Sequence, residues 1–153
     1  MKDIHQLNTK SVGEAAKYVT AFRVTLLGAS ADITTDIKNI VIARPKGSAR
    51  EITLRVKSRR SGDWQIPTTE GRSPEVYIDE KEFWVLVDFS VSAIAPDFYI
   101  MPGKWLRNNI YIQNNDYLAS HGGERPVTPK SSHHAVTLER IVKWKDRWDI
   151  LEL

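Results

Sequence analysis

The sequence predicts an α/β fold, with a mixed central sheet flanked by helices. Two observations lead there. Helix-period apolar patterns open and close the chain, and the stretch between them holds one strictly alternating strand and two nearly continuous apolar runs. At 153 residues, 41% hydrophobic and 27% charged, the chain is long enough to bury a core, and a single domain over residues 1–153 is expected. It has no cysteine. That excludes a disulfide framework, a thiolate metal site and a cysteine nucleophile. No apolar run approaches the roughly 20 residues of a membrane span, and Met1–His5 does not open a signal peptide. A cytoplasmic protein without a membrane partner is expected.

The elements follow in order. Residues 11–27 read as a helix. Ser11 is placed as its N-cap, with Glu14 completing a capping box. Val12, Ala15, Ala16, Val19, Phe22 and Leu26 recur at spacings of three and four, and Gly28 supplies the stop. Residues 29–36 read as a loop or short edge strand. Ile37 to Ala43 is β-branched and apolar, and Arg44-Pro45-Lys46-Gly47-Ser48 is turn chemistry. From Glu51 to Lys57 the chain alternates, with Ile52, Leu54 and Val56 facing one way and Thr53, Arg55 and Lys57 the other. Residues 38–44 and 50–58 therefore form a hairpin with one polar, mostly basic face. Residues 59–80 read as a long loop with a strand near Val76–Ile78. Phe83–Val87 reads as a strand covered on both sides. Asp97–Met101 is another strand, ended by Pro102. Residues 103–135 are mixed, with a short helix at 105–110 and a turn at His121-Gly122-Gly123. Thr137 to Leu151 reads as the last helix, with Leu138, Ile141, Trp144, Trp148 and Leu151 as its apolar stripe and Lys143 and Arg147 solvated.

Charge is unevenly distributed. Residues 44–60 hold seven basic residues, Arg44, Lys46, Arg50, Arg55, Lys57, Arg59 and Arg60, against Glu51 alone. Residues 61–97 hold eight acidic residues against two basic. The basic segment could neutralise phosphates, which makes its arginines and lysines candidate nucleic-acid contacts. The alternative is that the two segments screen each other.

Lys57 is the residue with most chemical promise. On the polar face of a strand after a hairpin, it could stabilise charge at a phosphate, or be an ordinary surface lysine. Glu14 fits either a chemical role or helix capping. Of the five tryptophans, four sit in apolar patterns, while Trp64 follows Arg59-Arg60 in a polar loop and is a candidate for stacking on bases. His133 and His134 are adjacent and His121 lies in a glycine-rich turn, so neither HxxxH nor HxH zinc spacing occurs. No G-x-S-x-G elbow is present.

Several motifs occur together in order: Gly13-Glu14 on the first helix, Arg55-Val56-Lys57-Ser58 closing the hairpin, Phe83–Phe89, Pro96–Pro102 and Trp148-Asp149-Ile150-Leu151. In this the chain resembles the PD-(D/E)XK nuclease superfamily over roughly residues 11–151, nearest its small resolvase-like and restriction-endonuclease-like prokaryotic members. The resemblance implies a restriction-endonuclease-like α-β-β-β-α-β core and Mg²⁺- or Mn²⁺-dependent hydrolysis of DNA, with Lys57 near the scissile phosphate. It also implies an acidic metal ligand on the second strand, where this chain has Val41. A Glu or Gln is implied two residues before the lysine, where it has Arg55. Neither residue ligates a hard cation. Glu14 and a displaced Asp36 are then the candidate ligands, and Glu14, Asp36 and Lys57 the candidate catalytic set. Glu51 shares the face of Lys57 but lies roughly 20 Å along the strand.

Three functions are open to such a chain. One is a metal-dependent endonuclease. The second is a catalytically inactive nuclease-like domain that binds DNA, with Arg55 on phosphate instead of metal. The third is an interaction module, a homodimer or the partner of another protein, docking through Glu75, Asp79, Glu80 and Glu82.

Overall fold

The computed structural model describes residues 2–123 and 132–153; residues 124–131, within the mixed stretch, lie outside the described residues. Asn8, not Ser11, caps the first helix. Its side chain accepts the Ser11 amide at 2.8 Å, and α1 runs Thr9–Leu26. Glu14 is then too far along to complete a capping box. Gly28 stops the helix at φ +92°, a conformation that disfavours any residue with a Cβ. α1 turns Val12, Ala16, Thr20 and Val24 inward, whereas Phe22 and Leu26 stay exposed beside Tyr18. A spacing of three and four drifts around a helix, and the last two apolar positions of the predicted stripe have drifted off the buried face.

The strands are β1 (Ser30–Ile33), β2 (Ile40–Arg44), β3 (Ile52–Arg59), β4 (Trp64–Pro67), β5 (Glu82–Asp88), β6 (Asp97–Pro102) and β7 (His133–Val136). Five of them make a mixed sheet in the order β1-β2-β3-β5-β6, in which only the β3–β5 pair is parallel. β4 and β7 form a separate antiparallel pair. The predicted hairpin is present as β2 and β3. β4 lies within the stretch read as loop, and Val76–Ile78 is not a strand.

Side chains alternate across the sheet. Leu54, Val56, Val85, Val87, Phe98 and Ile100 meet α1 on the first face. Trp84, Leu86, Tyr99 and Met101 meet Trp64 and Ile66 of β4, and Leu106 and Ile110 of α2, on the second. Both faces of β5 are therefore covered, as its unbroken apolar run implied. α2 is a long helix, Gly103–Ser120, rather than the short one expected.

The C-terminal segment is not one helix. It breaks into α3 (Leu138–Ile141) and 3-10 turns at Val142–Trp144 and Trp148–Leu151. Lys145 bridges to Tyr99 at the sheet edge, and the Asp146 amide donates to the Phe98 carbonyl at 2.9 Å with Asp146 at φ +52°. Edge pairing thus interrupts the helical period. Trp148 still reaches the core, packing on Phe98 with ring centroids 5.3 Å apart.

Gly103 opens α2 directly against Glu82. A Cβ there would lie 2.5 Å from Glu82 Oε2 and 2.9 Å from the Glu82 carbonyl oxygen. Gly103→Ala should displace that carboxylate and cost about 1–3 kcal/mol, measured as a lower urea midpoint with an unchanged slope.

Candidate functional site

β3 and β5 run parallel in a register that sets Arg55 beside Trp84, Lys57 beside Leu86 and Arg59 beside Asp88 on the second face. The two arginines are bound. Arg55 Nε donates to Glu82 Oε1 at 2.5 Å, and its guanidinium lies 5.9 Å from the Trp84 ring. Arg59 Nη2 donates to Asp88 at 2.5 Å, and its guanidinium sits 4.1 Å over the Trp64 ring. Both acids come from the negative segment, so that segment screens part of the basic one inside the fold. Glu82 also takes two hydrogen bonds from Arg107, at 2.8 and 2.7 Å, and Arg107 holds Glu70 at 2.6 Å. Glu82 therefore faces inward and is no part of an acidic docking surface.

Lys57 differs. Among the described residues no carboxylate pairs with it. Its half-buried ammonium has its pKa pushed down by burial, and Glu70 pulls it partly back up. Lys57 lines a cleft of about 340 Å³ that also takes Ser58, Arg59, Arg60, Ser61 and Asp63 from the end of β3 and the following turn. Thr9 and Val12 of α1, Gln65 of β4 and His133 of β7 complete its walls. Arg60 donates to the Leu7 carbonyl and, among the described residues, has no carboxylate partner. Lys57 and Arg60, beside the ion-paired Arg59 and against one acid, Asp63, thus meet the first turn of an 18-residue helix around one cleft, an arrangement that favours an anion.

The other candidates lie elsewhere. Glu14 pairs with Lys17 at 2.8 Å and does not line the cleft. Asp36 is exposed in the β1–β2 connection. Arg44 pairs with Glu51 at 2.8 Å and with Asp32, and Arg50 holds Glu152 at 3.3 Å. Both sit at the end of the hairpin away from Lys57, as does the exposed Lys46. The basic residues therefore do not form one surface. Trp64 is fully buried, its Nε1 donating to the Val87 carbonyl at 3.3 Å, and cannot stack on a base. It alternates with Gln65 in a short strand, which places its ring in the second core. Gln65, His133 and Thr9 were not legible as site residues, because only the β4–β7 pairing and the start of α1 bring them to Lys57.

The residues do not fit a divalent metal. Val41 pairs with Leu54 on the first face, whereas Arg55 and Lys57 lie on the second, so even an acid at position 41 would point away from the lysine. The β2 residue nearest the lysine on its own face is Ile40, buried and apolar. Among the described residues, no group of three or more His, Asp or Glu side chains is placed to hold a metal ion.

No family model and no curated protein matches the chain. Among solved structures, a bacterial homing endonuclease, I-Ssp6803I, superposes with a TM-score of 0.53 at 15% identity, over 95% of each chain. The likeness is in the fold, which is nuclease-like: a mixed sheet between helices. No helix of the described residues is long and apolar enough to cross a membrane.

The two buried acids make stability depend on pH. Burial pushes the Glu82 carboxyl upward, but Arg107 and then Arg55 outweigh it and hold it below the usual carboxylate range. Burial likewise works against the Asp88 carboxylate, and Arg59 and Ser90 outweigh it. Both folded values lie below the unfolded ones, near 4.5 and 3.8. Their contribution is therefore complete above those values and is lost as pH falls through the folded ones. The urea midpoint should drop on acidification below about pH 4.5. Glu82→Gln should be less stable at neutral pH and show a shallower acid loss.

Proposed function

We propose that this protein binds DNA through the cleft at the C-terminal end of β3, on a nuclease-like fold whose former metal position is closed. The observation that carries this reading is Lys57, half-buried in the cleft without a carboxylate partner among the described residues, beside Arg60 and the first turn of α1. A phosphate there would receive two cationic side chains, the Ser58 and Ser61 hydroxyls and the positive end of α1. The homing endonuclease likeness supports DNA as the polyanion. The resemblance to the PD-(D/E)XK superfamily is retained for the lysine and the sheet, and given up for the metal.

Arg55 does not take over phosphate binding from the missing ligand, because Glu82 already neutralises it. Duplex affinity should fall linearly with the logarithm of salt concentration. Lys57→Ala and Arg60→Ala should each weaken binding and lower the salt slope by about 0.9, whereas Lys46→Ala should leave both unchanged. Fluorescence anisotropy of a labelled duplex measures all three, and salt-independent or absent binding removes the proposal. Supercoiled plasmid should stay intact with Mg²⁺ or Mn²⁺. Nicking that disappears in Lys57→Ala would instead favour metal-dependent hydrolysis with Glu14 and Asp36 as ligands.

The outward face of α1 favours a second property, pairing with another copy. Tyr18, Phe22 and Leu26 are each more than 60% exposed and recur every fourth residue, forming one uncharged stripe. Sedimentation equilibrium should give a dimer for the natural chain and a monomer for Phe22→Lys; a monomeric natural chain overturns this.

A further inference from the structure

The cleft holds the parts for amine chemistry on a carbonyl. We propose that Lys57 forms an imine with the aldehyde of an abasic site in DNA, and that the cleft carries that imine through β-elimination to a strand break. This rests on the DNA-binding reading and names the substrate and reaction of the same cleft.

Three features carry it. The Lys57 stem lies beside Leu86, and no described carboxylate holds its head as a fixed ammonium. Of the charged groups around it, Arg55 is committed to Glu82, Arg59 to Asp88 and Glu70 to Arg107, while Arg60 and Asp63 share the cleft with it. Burial then favours the neutral amine, the nucleophilic form, with Glu70 opposing it only in part. His133 lines the same cleft and places an imidazole there as the base. Finally, a cleft of about 340 Å³ has room for a sugar. In an intact nucleotide the base occupies C1′, so only an abasic sugar presents its C1′ aldehyde.

The chemistry balances without a metal. The Lys57 Nζ lone pair adds to C1′, and loss of the aldehyde oxygen as water leaves the imine, protonated on nitrogen. His133 takes a proton from C2′, and the C–H electrons form the C1′–C2′ double bond of an enamine. The nitrogen lone pair then re-forms the imine, the C1′–C2′ pair moves to make the C2′–C3′ double bond, and the C3′–O bond breaks with its electrons leaving on the phosphate oxygen. The downstream strand leaves with a 5′-phosphate. Water hydrolyses the remaining conjugated imine, returning the lysine and leaving an unsaturated aldehyde on the upstream strand.

The test uses the full chain and a duplex with one abasic site, in EDTA with cyanoborohydride, which reduces an imine to a stable amine. A covalent protein–DNA adduct mapping to Lys57 is expected. Lys57→Arg should lose the adduct, whereas Lys46→Ala, at the far end of the hairpin, should bind intact duplex as before and keep it. His133→Ala should keep the adduct while breaking the strand about 10²-fold more slowly. An adduct of undiminished yield in Lys57→Arg overturns the proposal. So does normal binding of intact duplex with no adduct on the abasic one, and that result leaves the DNA-binding reading standing. Absence of any duplex binding overturns both.

Discussion

Glu82 ties the second face of the sheet together. It begins β5 and accepts from Arg55 on β3 and from Arg107 on α2, which in turn reaches Glu70 on the 3-10 turn Thr68–Glu70. One carboxylate therefore fixes β3, β5, α2 and part of the connection between the two parallel strands. Such a network is no large source of stability, because desolvating its charges offsets much of their attraction. Its effect is on specificity: removing Glu82 leaves Arg55 without a carboxylate and Arg107 with Glu70 alone, so the alternatives to this packing are costly. Gly103 is glycine because the carboxylate occupies the space a side chain would need.

The same parallel pairing selects Lys57. The acids at the two ends of β5, Glu82 and Asp88, bind the two arginines of β3, Arg55 and Arg59. Between them the register brings Leu86 beside Lys57. Of the three basic residues on that face, Lys57 is the one to which no described carboxylate is bonded. The arginines serve packing, stacking on Trp84 and Trp64 while ion-paired, and the lysine opens to the cleft.

Much of the fold could be read from residue patterns. The β2–β3 hairpin followed from strict alternation between Glu51 and Lys57, and the covered strands from the runs at Phe83 and Asp97. What failed had tertiary causes. The last helix broke because Lys145 and Asp146 pair with the edge of β6, a contact no local period encodes. The outward positions of Phe22 and Leu26 were hidden because a spacing of three and four fits more than one face of a long helix. At the site, Lys57 was legible from its strand, but Glu14, Asp36 and Trp64 were not correctly placed with it. Glu14 turns to Lys17, Asp36 lies on an exposed connection, and Trp64 belongs to a strand that only its pairing with β7 reveals.

Net charge along the chain also misled for a physical reason. A basic segment followed by an acidic one suggests an external polyanion only if the two remain apart. Here they become adjacent parallel strands, so charges separated by about 27 residues in sequence become hydrogen-bonded pairs. The residues left to act on a ligand are then those the pairing does not satisfy. The register that denies Lys57 a partner leaves its head in the cleft, where burial lowers its pKa and Glu70 only partly restores it.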